Sequence, residues 1–408
     1  TRAQPALSSA APAIAPSAST VPAHTAMAAL PERFETALTK KLGIRYPIMC
    51  AGMGHVTGAD LASAVSNAGG IGTIGAIGLS PEGLRAEVIK LKSLLKPGDS
   101  IAGTLPFGVD LLLPKVGGGA RKTNSDYTGG ALGQLVDVMV EEKVPLFVCA
   151  VGIPDRWVVD KMHAAGMVIM NMAGHPKHVS KALDVGVDII CATGTEGGAH
   201  TGDISTLVLL PQCADIVAKR GAILVGGGGV FDGRGVAACM ALGASGVWMG
   251  TRFLCTPESN TTEGNKQAVI KADSGDTRRI EIYSGRPLRV IKNPLNDYWA
   301  NNEGEMRKLL ASGVVPVMHM HQKGEWAPGK PIPRDLFGGP AAKKGGYWND
   351  VRQKFKDWRE IDLTQAGQCV GAIHEVKPAG EIVGDIMTEL IVSLQKMGQV
   401  GAQVPSRL

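Results

Sequence analysis

Residues 194–203, GTEGGAHTGD, place a histidine and a carboxylate among four glycines. The imidazole group has an ordinary pKa near neutral pH, so it can donate or accept a proton there. Bare glycine backbone lets a ligand approach closely. His200 is therefore the leading candidate for a catalytic residue. Glu196 is either a partner that orients the imidazole, or else an exposed loop carboxylate or a helix cap.

Two more glycine-rich segments, GGGGVFDGRG from Gly226 and GTRF from Gly250, lie just before helix-like stretches. Backbone N–H groups at the start of a helix bind anions such as phosphate. The four-glycine segment lacks the GxGxxG spacing and the acidic residue that a dinucleotide fold needs, and the sequence has no GxxxxGK[ST], so dinucleotide-fold and NTPase functions lack support. We expect a phosphate site, and the alternative is that these glycines only make tight turns.

Other polar residues stand at the ends of apolar runs. Asp110 ends PFGVD and either faces a ligand, caps the loop or pairs with a lysine. His175 can line the same site, His55 is a second-tier candidate, and His178 is predicted on a helix surface. Because neither a CxxC pair nor HExxH occurs, no metal site is predicted.

Short apolar runs alternate with helix-like stretches from residue 46 to about residue 275, giving eight strand–helix units. The runs are continuously apolar, as in strands covered on both faces. Eight units of this size predict a (β/α)8 TIM barrel, with a doubly wound open sheet as the alternative. Ligands in such barrels bind at the carboxyl ends of the strands, where the candidate residues fall.

The rest of the chain divides by composition. Residues 1–39 form a low-complexity extension, which is either part of an organellar transit peptide or an unstructured tail. Residues 40–275 form the barrel and 276–365 a mixed, partly helical cap on the substrate side. Residues 366–408 are predicted to pack back on the barrel.

Composition excludes several classes of function. Among 408 residues, 44% are hydrophobic and the net charge is only +5, without a basic cluster interleaved with aromatics, so nucleic-acid binding is not expected. Seven cysteines without a CxxC pair indicate reduced thiols in an intracellular protein. We expect it to be cytoplasmic, or organellar (mitochondrion or chloroplast) if the N-terminal extension is a transit peptide. The sequence lacks an apolar run of roughly 18 residues, so we predict no membrane-spanning helix.

The motifs taken together resemble the nitronate monooxygenases, formerly called 2-nitropropane dioxygenases, which are FMN-dependent (β/α)8 enzymes. The fungal-type branch is the most similar. The matching segments are PIMCAGMG, SNAGGIGTIGA, PFGVDLLLP, GTEGGAHTGD, GGGGVFDGRG, VWMGTRFL, IYSGRPLRVIKNP and AGQCVGAIHEVKPAGEIV. They occur in the family's order from about residue 40 to about residue 400.

The resemblance implies that FMN is the cofactor and that His200 is the catalytic residue. Residues implied to contact the phosphate are Gly227, Gly228, Gly229, Gly250 and Thr251. Residues implied to lie near the flavin ring are Ala51, Gly52, Met53, Asp110, Thr193 and Gly198.

Three positions depart from the family's pattern. Asp110 stands where many relatives have Asn, Thr193 where they often have Gln, and Ala199 where glycine precedes the histidine. An ionised Asp110 would disfavour the reduced, anionic flavin, whereas a protonated one would not. The Cβ of Ala199 would crowd a ligand if that residue had a positive φ.

The leading functional hypothesis is oxidation of alkyl nitronates, such as propionate 3-nitronate, with O2 and FMN, in nitroalkane detoxification. His200 would donate a hydrogen bond to a nitronate or remove the α-proton of a nitroalkane. One alternative is an NAD(P)H-dependent flavin reductase of the enoyl-acyl-carrier-protein or quinone type. The other is a catalytically silent flavin-binding subunit. The oligomeric state does not follow from the sequence.

Overall fold

Parallel strands close into a barrel in the computed structural model, which describes residues 30–96, 105–322 and 364–402. The barrel strands are β1 (Ile48–Cys50), β2 (Ile71–Gly75), β3 (Phe107–Leu112), β4 (Leu146–Ala150), β5 (Val168–Ala173), β6 (Ile189–Thr193), β8 (Ile223–Gly227) and β9 (Val247–Met249). Each strand pairs in parallel with the next, and β9 pairs with β1. The predicted TIM barrel is confirmed, and the open sheet was the wrong alternative.

Helices follow each barrel strand along the chain. They are α2 (Ala59–Asn67), α3 (Pro81–Leu94), α4 (Leu132–Glu141), α5 (Arg156–Ala164), α6 (Pro176–Asp184), α7 (Thr206–Ala218), α8 (Gly233–Ala241), α9 (Thr251–Leu254) and α10 (Glu263–Lys271), with α1 (Ala37–Leu42) before β1. Local capping sets several starts. Ser80 accepts a hydrogen bond from the Gly83 N–H, with Pro81 as the first helical residue, and Asp232 caps α8 through the Gly235 N–H.

Two apolar layers hold the barrel together. Inside it, Met49, Val148, Met170, Val225 and Trp248 pack with other inward-facing strand residues. Leu38 and Leu42 of α1 join this cluster. A Cβ at Gly246, just before β9, would lie 2.4 Å from Leu38, so α1 closes the amino-terminal end of the barrel. The opposite end, where the strands finish, is left for ligands.

A larger cluster fills the space between strands and helices. It includes Phe107, Phe147 and Ile190 from the strands, with Leu61 and Met162 from the helices, all fully or almost fully buried. Burying a large apolar side chain contributes about 1.5–3 kcal/mol, so this layer and the inner one supply the main stabilisation.

Between the barrel and residue 322 the chain forms a small antiparallel sheet and three helices. Strand β10 (Thr277–Ile280) pairs with β11 (Leu288–Ile291), which pairs with β7 (Ala199–His200) from the loop after β6. Helices α11 (Pro294–Asn301), α12 (Glu303–Ser312) and α13 (Pro316–Gln322) follow. A separate apolar cluster holds this region together, and Trp299 is its largest buried member.

The carboxyl-terminal segment returns to the barrel. Helix α14 (Ala379–Ala402) packs against α8 and α2, and Glu389 accepts a hydrogen bond of 2.9 Å from the Gly233 N–H. A Cβ at Gly233 would lie 2.2 Å from the Leu390 nitrogen, so close packing requires glycine there. The domain boundaries predicted at 39, 275 and 365 stay predictions. The extension up to residue 29 and residues 323–363 of the cap lie outside the described residues.

None of the helices in the described ranges is both long and apolar enough to cross a membrane. All seven cysteines are buried and free.

Candidate active site

The loops after β6 and β8 lie side by side at the carboxyl end of the barrel. Thr193 and Gly227, the last residues of these strands, are register partners. The Gly194 N–H donates to the Gly227 carbonyl over 3.0 Å. The histidine loop and the four-glycine loop are therefore neighbours, as the barrel prediction requires.

Glycine is needed in the four-glycine loop for packing as well as for any ligand. Gly228 has φ +95° and Gly229 has φ +75°, a region that other residues rarely adopt. A Cβ at Gly228 would lie 2.9 Å from the Gly194 nitrogen and oxygen. The tight-turn explanation is therefore correct at Gly228, and it leaves phosphate binding by the same backbone open.

The loop after β9 meets both β1 and the carboxyl-terminal segment. A Cβ at Gly250 would lie 3.3 Å from Met53 Sδ and 3.6 Å from Ala51 Cβ. Thr251 Oγ1 accepts a hydrogen bond of 2.9 Å from the Gly367 N–H. The predicted phosphate-side and ring-side residues are thus in contact with one another.

Asp110 is buried inside the barrel, with 4% of its surface exposed. It packs on Gly52, where a Cβ would lie 2.5 Å from Asp110 Cβ and 2.8 Å from Oδ2. Among the described residues Oδ1 has no hydrogen-bond partner, and no lysine pairs with the carboxyl group. The loop-cap and lysine-pair alternatives are therefore wrong. Burial raises the pKa of Asp110 well above its usual range, which favours the protonated carboxyl group.

His200 is held by the small post-barrel sheet and not by a free loop. In the pairing of β7 with β11, Leu288 lies opposite His200 and Arg289 opposite Ala199. Ala199 has φ +59°, so the conformation suspected from the sequence is present. Val151, after β4, also has a positive φ, of 66°. Such strain persists only where surrounding structure enforces it, and it is common at functional sites.

The imidazole Nε2 of His200 forms a 2.8 Å hydrogen bond with Ser284 Oγ. Burial, together with the positive charge of Arg286, lowers the pKa of His200 to about 4. The ring is therefore neutral at pH 7, with one nitrogen as donor and the other as acceptor. Sequence reasoning missed Ser284 and Arg286. The only signal was their presence in IYSGRPLRVIKNP.

Glu196 does not orient His200. Its carboxylate accepts hydrogen bonds from the N–H of Thr206, the first residue of α7, at 3.1 and 3.0 Å, and from Thr206 Oγ1 at 2.9 Å. A carboxylate at a helix amino terminus is stabilised by the unpaired N–H groups and the helix dipole. The helix-cap explanation is therefore the correct one, and the role as an orienting partner was wrong.

Two second-tier histidines lie at the edge of the site. His175 is exposed and caps α6, because its Nδ1 accepts a 3.1 Å hydrogen bond from the Lys177 N–H. His55 is exposed in a short 3-10 turn (Gly54–Val56) after β1. In the part of the chain that the structure describes, no group of three or more potential ligands is arranged to hold a metal ion.

The carboxyl-terminal segment packs on the histidine loop. The Gln368 N–H donates to the Glu196 carbonyl over 2.8 Å. A Cβ at Gly198 would lie 2.8 Å from the Ala366 carbonyl carbon. Gly198, predicted to contact the cofactor, is therefore required for this packing.

A closed parallel barrel with a histidine and glycine loops at the carboxyl ends of its strands defines the class of (β/α)8 enzymes. The chain belongs to the nitronate monooxygenase family, which its sequence matches over residues 35–389. It is accordingly an oxidoreductase of that family.

Two relatives illustrate the range of names in this group. The (3aS,4S,5R,7aS)-5-hydroxy-7a-methyl-1-oxo-octahydro-1H-indene-4-carboxyl-CoA dehydrogenase of Rhodococcus jostii is 34% identical over 381 residues, which cover 90% of this chain and 99% of the relative. A probable nitronate monooxygenase of Staphylococcus haemolyticus is 29% identical over 313 residues, which cover 67% of this chain and 82% of the relative.

Solved structures share the fold. FabK from Thermotoga maritima has a TM-score of 0.70 and 26% sequence identity, covering 90% of this chain and 99% of its own. The nitroalkane oxidase from Streptomyces ansochromogenes has a TM-score of 0.67 and 25% identity, covering 89% of this chain and 100% of its own.

Members of this family are flavoproteins, and the residues at the carboxyl end of the barrel fit a flavin. Asp110 presents a buried oxygen atom without a partner among the described residues. Gly52 and the four-glycine loop offer backbone without side chains, which suits a flat ring and a phosphate.

Proposed function

We propose that this chain is an FMN-dependent nitronate monooxygenase of the fungal-type branch. It oxidises alkyl nitronates such as propionate 3-nitronate with O2, giving a carbonyl compound with nitrite or nitrate. The observation that carries the proposal is a neutral, half-buried His200, fixed by Ser284 at the carboxyl end of the barrel.

The flavin supplies the redox chemistry when it is bound. Its phosphate would be held by Gly227, Gly228 and Gly229 with Gly250 and Thr251. Its ring would be held by Ala51, Gly52 and Met53, with Thr193 and Gly198 nearby. A protonated Asp110 would donate a hydrogen bond there without adding a negative charge.

His200 then acts on the substrate in one of two ways. Its neutral ring can donate a hydrogen bond to a nitronate oxygen, which orients an anion that needs no deprotonation. Toward a neutral nitroalkane, the ring would have to remove the α-proton. A pKa of about 4 makes it a weak base for that step. The low pKa of His200 therefore favours nitronates over nitroalkanes as substrates.

A reductase on the same barrel is the second candidate. It is favoured by the 34% identity to the Rhodococcus jostii dehydrogenase over 90% of this chain. In that case NAD(P)H, and not a nitronate, would reduce the flavin. A silent flavin-binding subunit is the third candidate, and it predicts turnover with neither substrate.

Anaerobic mixing of the purified holoenzyme with propionate 3-nitronate, and separately with NADH, distinguishes the three. We expect the nitronate to bleach the flavin absorbance and NADH to leave it unchanged over the same time. His200→Ala should retain the flavin and lose about 10–100-fold in turnover, as loss of a hydrogen bond to an anionic substrate predicts. A loss of roughly 10²–10⁴-fold is the expectation if the ring is instead the proton-transfer base. Rapid bleaching by NADH without nitronate turnover would refute the monooxygenase proposal. Release of FAD, or absence of flavin, would refute FMN.

A further inference from the structure

Arg286 lies in the turn between β10 and β11, two residues after the serine that holds His200. Its Nε donates a 3.1 Å hydrogen bond to Asn124 Oδ1, which belongs to the long loop after β3. The Arg286 carbonyl lies 3.5 Å from Ser284 Oγ. The side chain is thus anchored at one nitrogen, close to the candidate catalytic residue.

The two terminal nitrogens of Arg286 have no hydrogen-bond partner or ion pair among residues 30–96, 105–322 and 364–402. Neighbouring arginines of the same sheet differ. Arg279 pairs with Asp203 at 2.7 Å, and Arg289 donates to the Thr195 carbonyl. The terminal nitrogens of Arg286 are also not among the described buried atoms that lack a partner, whereas Arg279 Nε is, so a ligand from solvent can reach them.

Positive charge surrounds this guanidinium group. Burial lowers the pKa of Arg286, and the positive charge of Arg121 adds to that effect. Burial is also the main cause of the lowered pKa values of His200 and His178, and Arg286 contributes to both. Lys177 and other basic groups of α6 also lower the pKa of His178. Within the described ranges no carboxylate is among the causes of these shifts, although Glu281 pairs with Arg121 at 3.7 Å.

We propose that Arg286 binds an oxyanion that the substrate carries at the end remote from its reacting carbon. A guanidinium group with two free terminal nitrogens matches the paired oxygens of a carboxylate or a phosphate. The inference rests on the proposed function and assigns a specificity-determining residue of the same site, since propionate 3-nitronate already carries a second anionic group that Arg286 would bind. This oxyanion is either a carboxylate on a short substrate or a phosphate on a larger carrier group.

Binding to the holoenzyme, measured by calorimetry, tests this assignment without turnover. The probes are 3-nitropropionate, its uncharged methyl ester, and coenzyme A as a phosphate-bearing carrier. The variants are Arg286→Gln, which removes the positive charge, and Arg286→Lys, which keeps it. Arg307→Gln is the control, because Arg307 is exposed and pairs only with Glu303 among the described residues. Melting temperature and flavin content establish that each variant is folded and loaded.

We expect Arg286→Gln to weaken 3-nitropropionate binding by about 10–100-fold, as loss of a charge-assisted hydrogen bond predicts, and ester binding by less than about threefold. Arg286→Lys should recover part of the loss, and Arg307→Gln should match the wild type. If the loss appears for coenzyme A instead, the oxyanion is a phosphate.

Equal losses for the acid and the ester would overturn the assignment, as would unchanged binding of both anionic probes. Failure of the proposed function would look different, because a wild-type enzyme that does not turn over nitronates can still bind these probes through Arg286.

Discussion

His200 Nε2 lies 2.8 Å from Ser284 Oγ, although the two residues are 84 positions apart in the chain. The pairing of β7 with β11 brings them together, since Leu288 of β11 lies opposite His200. The barrel alone therefore does not position the candidate catalytic ring, because the post-barrel sheet is also required. For this reason the region after the barrel belongs to the active site.

Replacing Ser284 with alanine should reduce kcat about 2–10-fold and leave KM and flavin content nearly unchanged. A hydrogen bond of this kind contributes about 0.5–1.5 kcal/mol, and here it fixes the ring that meets the reacting group. Ser284→Thr retains the hydroxyl group and should recover most of the rate. A purely structural role would instead lower the melting temperature of both variants without separating their kcat values.

His200 should make stability depend on pH between about 4 and 6.5. Its folded pKa of about 4 lies below the ordinary value of 6.5, so the unfolded chain binds more protons in this window. Stability from this group is therefore full above pH 6.5 and is lost as the pH falls to 4, by at most about 3 kcal/mol. Urea unfolding of wild type and His200→Asn at pH 4.5 and 7.5 measures the difference. We expect the gap between them to shrink at pH 4.5. His55→Asn, at an exposed position, is the control.

Ala199→Gly should stabilise the protein by about 0.5–1 kcal/mol. Ala199 has φ +59°, a conformation that costs a residue with a side chain about 1–2 kcal/mol and costs glycine nothing. The greater entropy of glycine in the unfolded chain offsets part of this gain. Ala86→Gly on the exposed face of α3 has the opposite expectation, a loss of about 1 kcal/mol. The test is urea unfolding of both variants. A loss at both positions would contradict the strain argument.

Gly228→Ala should lower flavin content and stability more than Gly78→Ala. Both glycines have positive φ, +95° and +75°, so both substitutions cost backbone energy. Only at Gly228 does the new Cβ meet other atoms, 2.9 Å from the Gly194 backbone, while at Gly78 no atom lies within 4 Å. The ratio of flavin absorbance to protein concentration measures cofactor occupancy, and the value for Gly228→Ala is compared with that for Gly78→Ala. Equal occupancy in the two variants would argue against a phosphate at this loop.

The barrel and the position of His200 were predictable because both follow from local sequence. Continuous apolar runs specify strands covered on both faces, and the order of the runs specifies which loops meet at the carboxyl end. The pairing of His200 with Ser284 was not predictable, because no local periodicity identifies a two-residue strand or its partner. Glu196 illustrates the same limit. Its spacing suggested a partner for His200, but its oxygens bind Thr206, ten residues further along the chain.

Asp110 should make the folded protein less stable as the pH rises. Its folded pKa is raised, so the folded state retains a proton that the unfolded chain releases above about pH 4. The loss of folding stability therefore grows as the pH rises from the ordinary pKa of aspartate to the raised pKa, and it stays constant at higher pH. Asp110→Asn removes the titration while it keeps the shape, so its advantage over wild type should be larger at pH 8 than at pH 5. Urea unfolding of the holoenzyme at both pH values measures it, with the exposed Asp215→Asn as control. An advantage independent of pH would mean that the unpaired Oδ1 finds a partner in the loaded enzyme and that Asp110 is ionised beside the flavin.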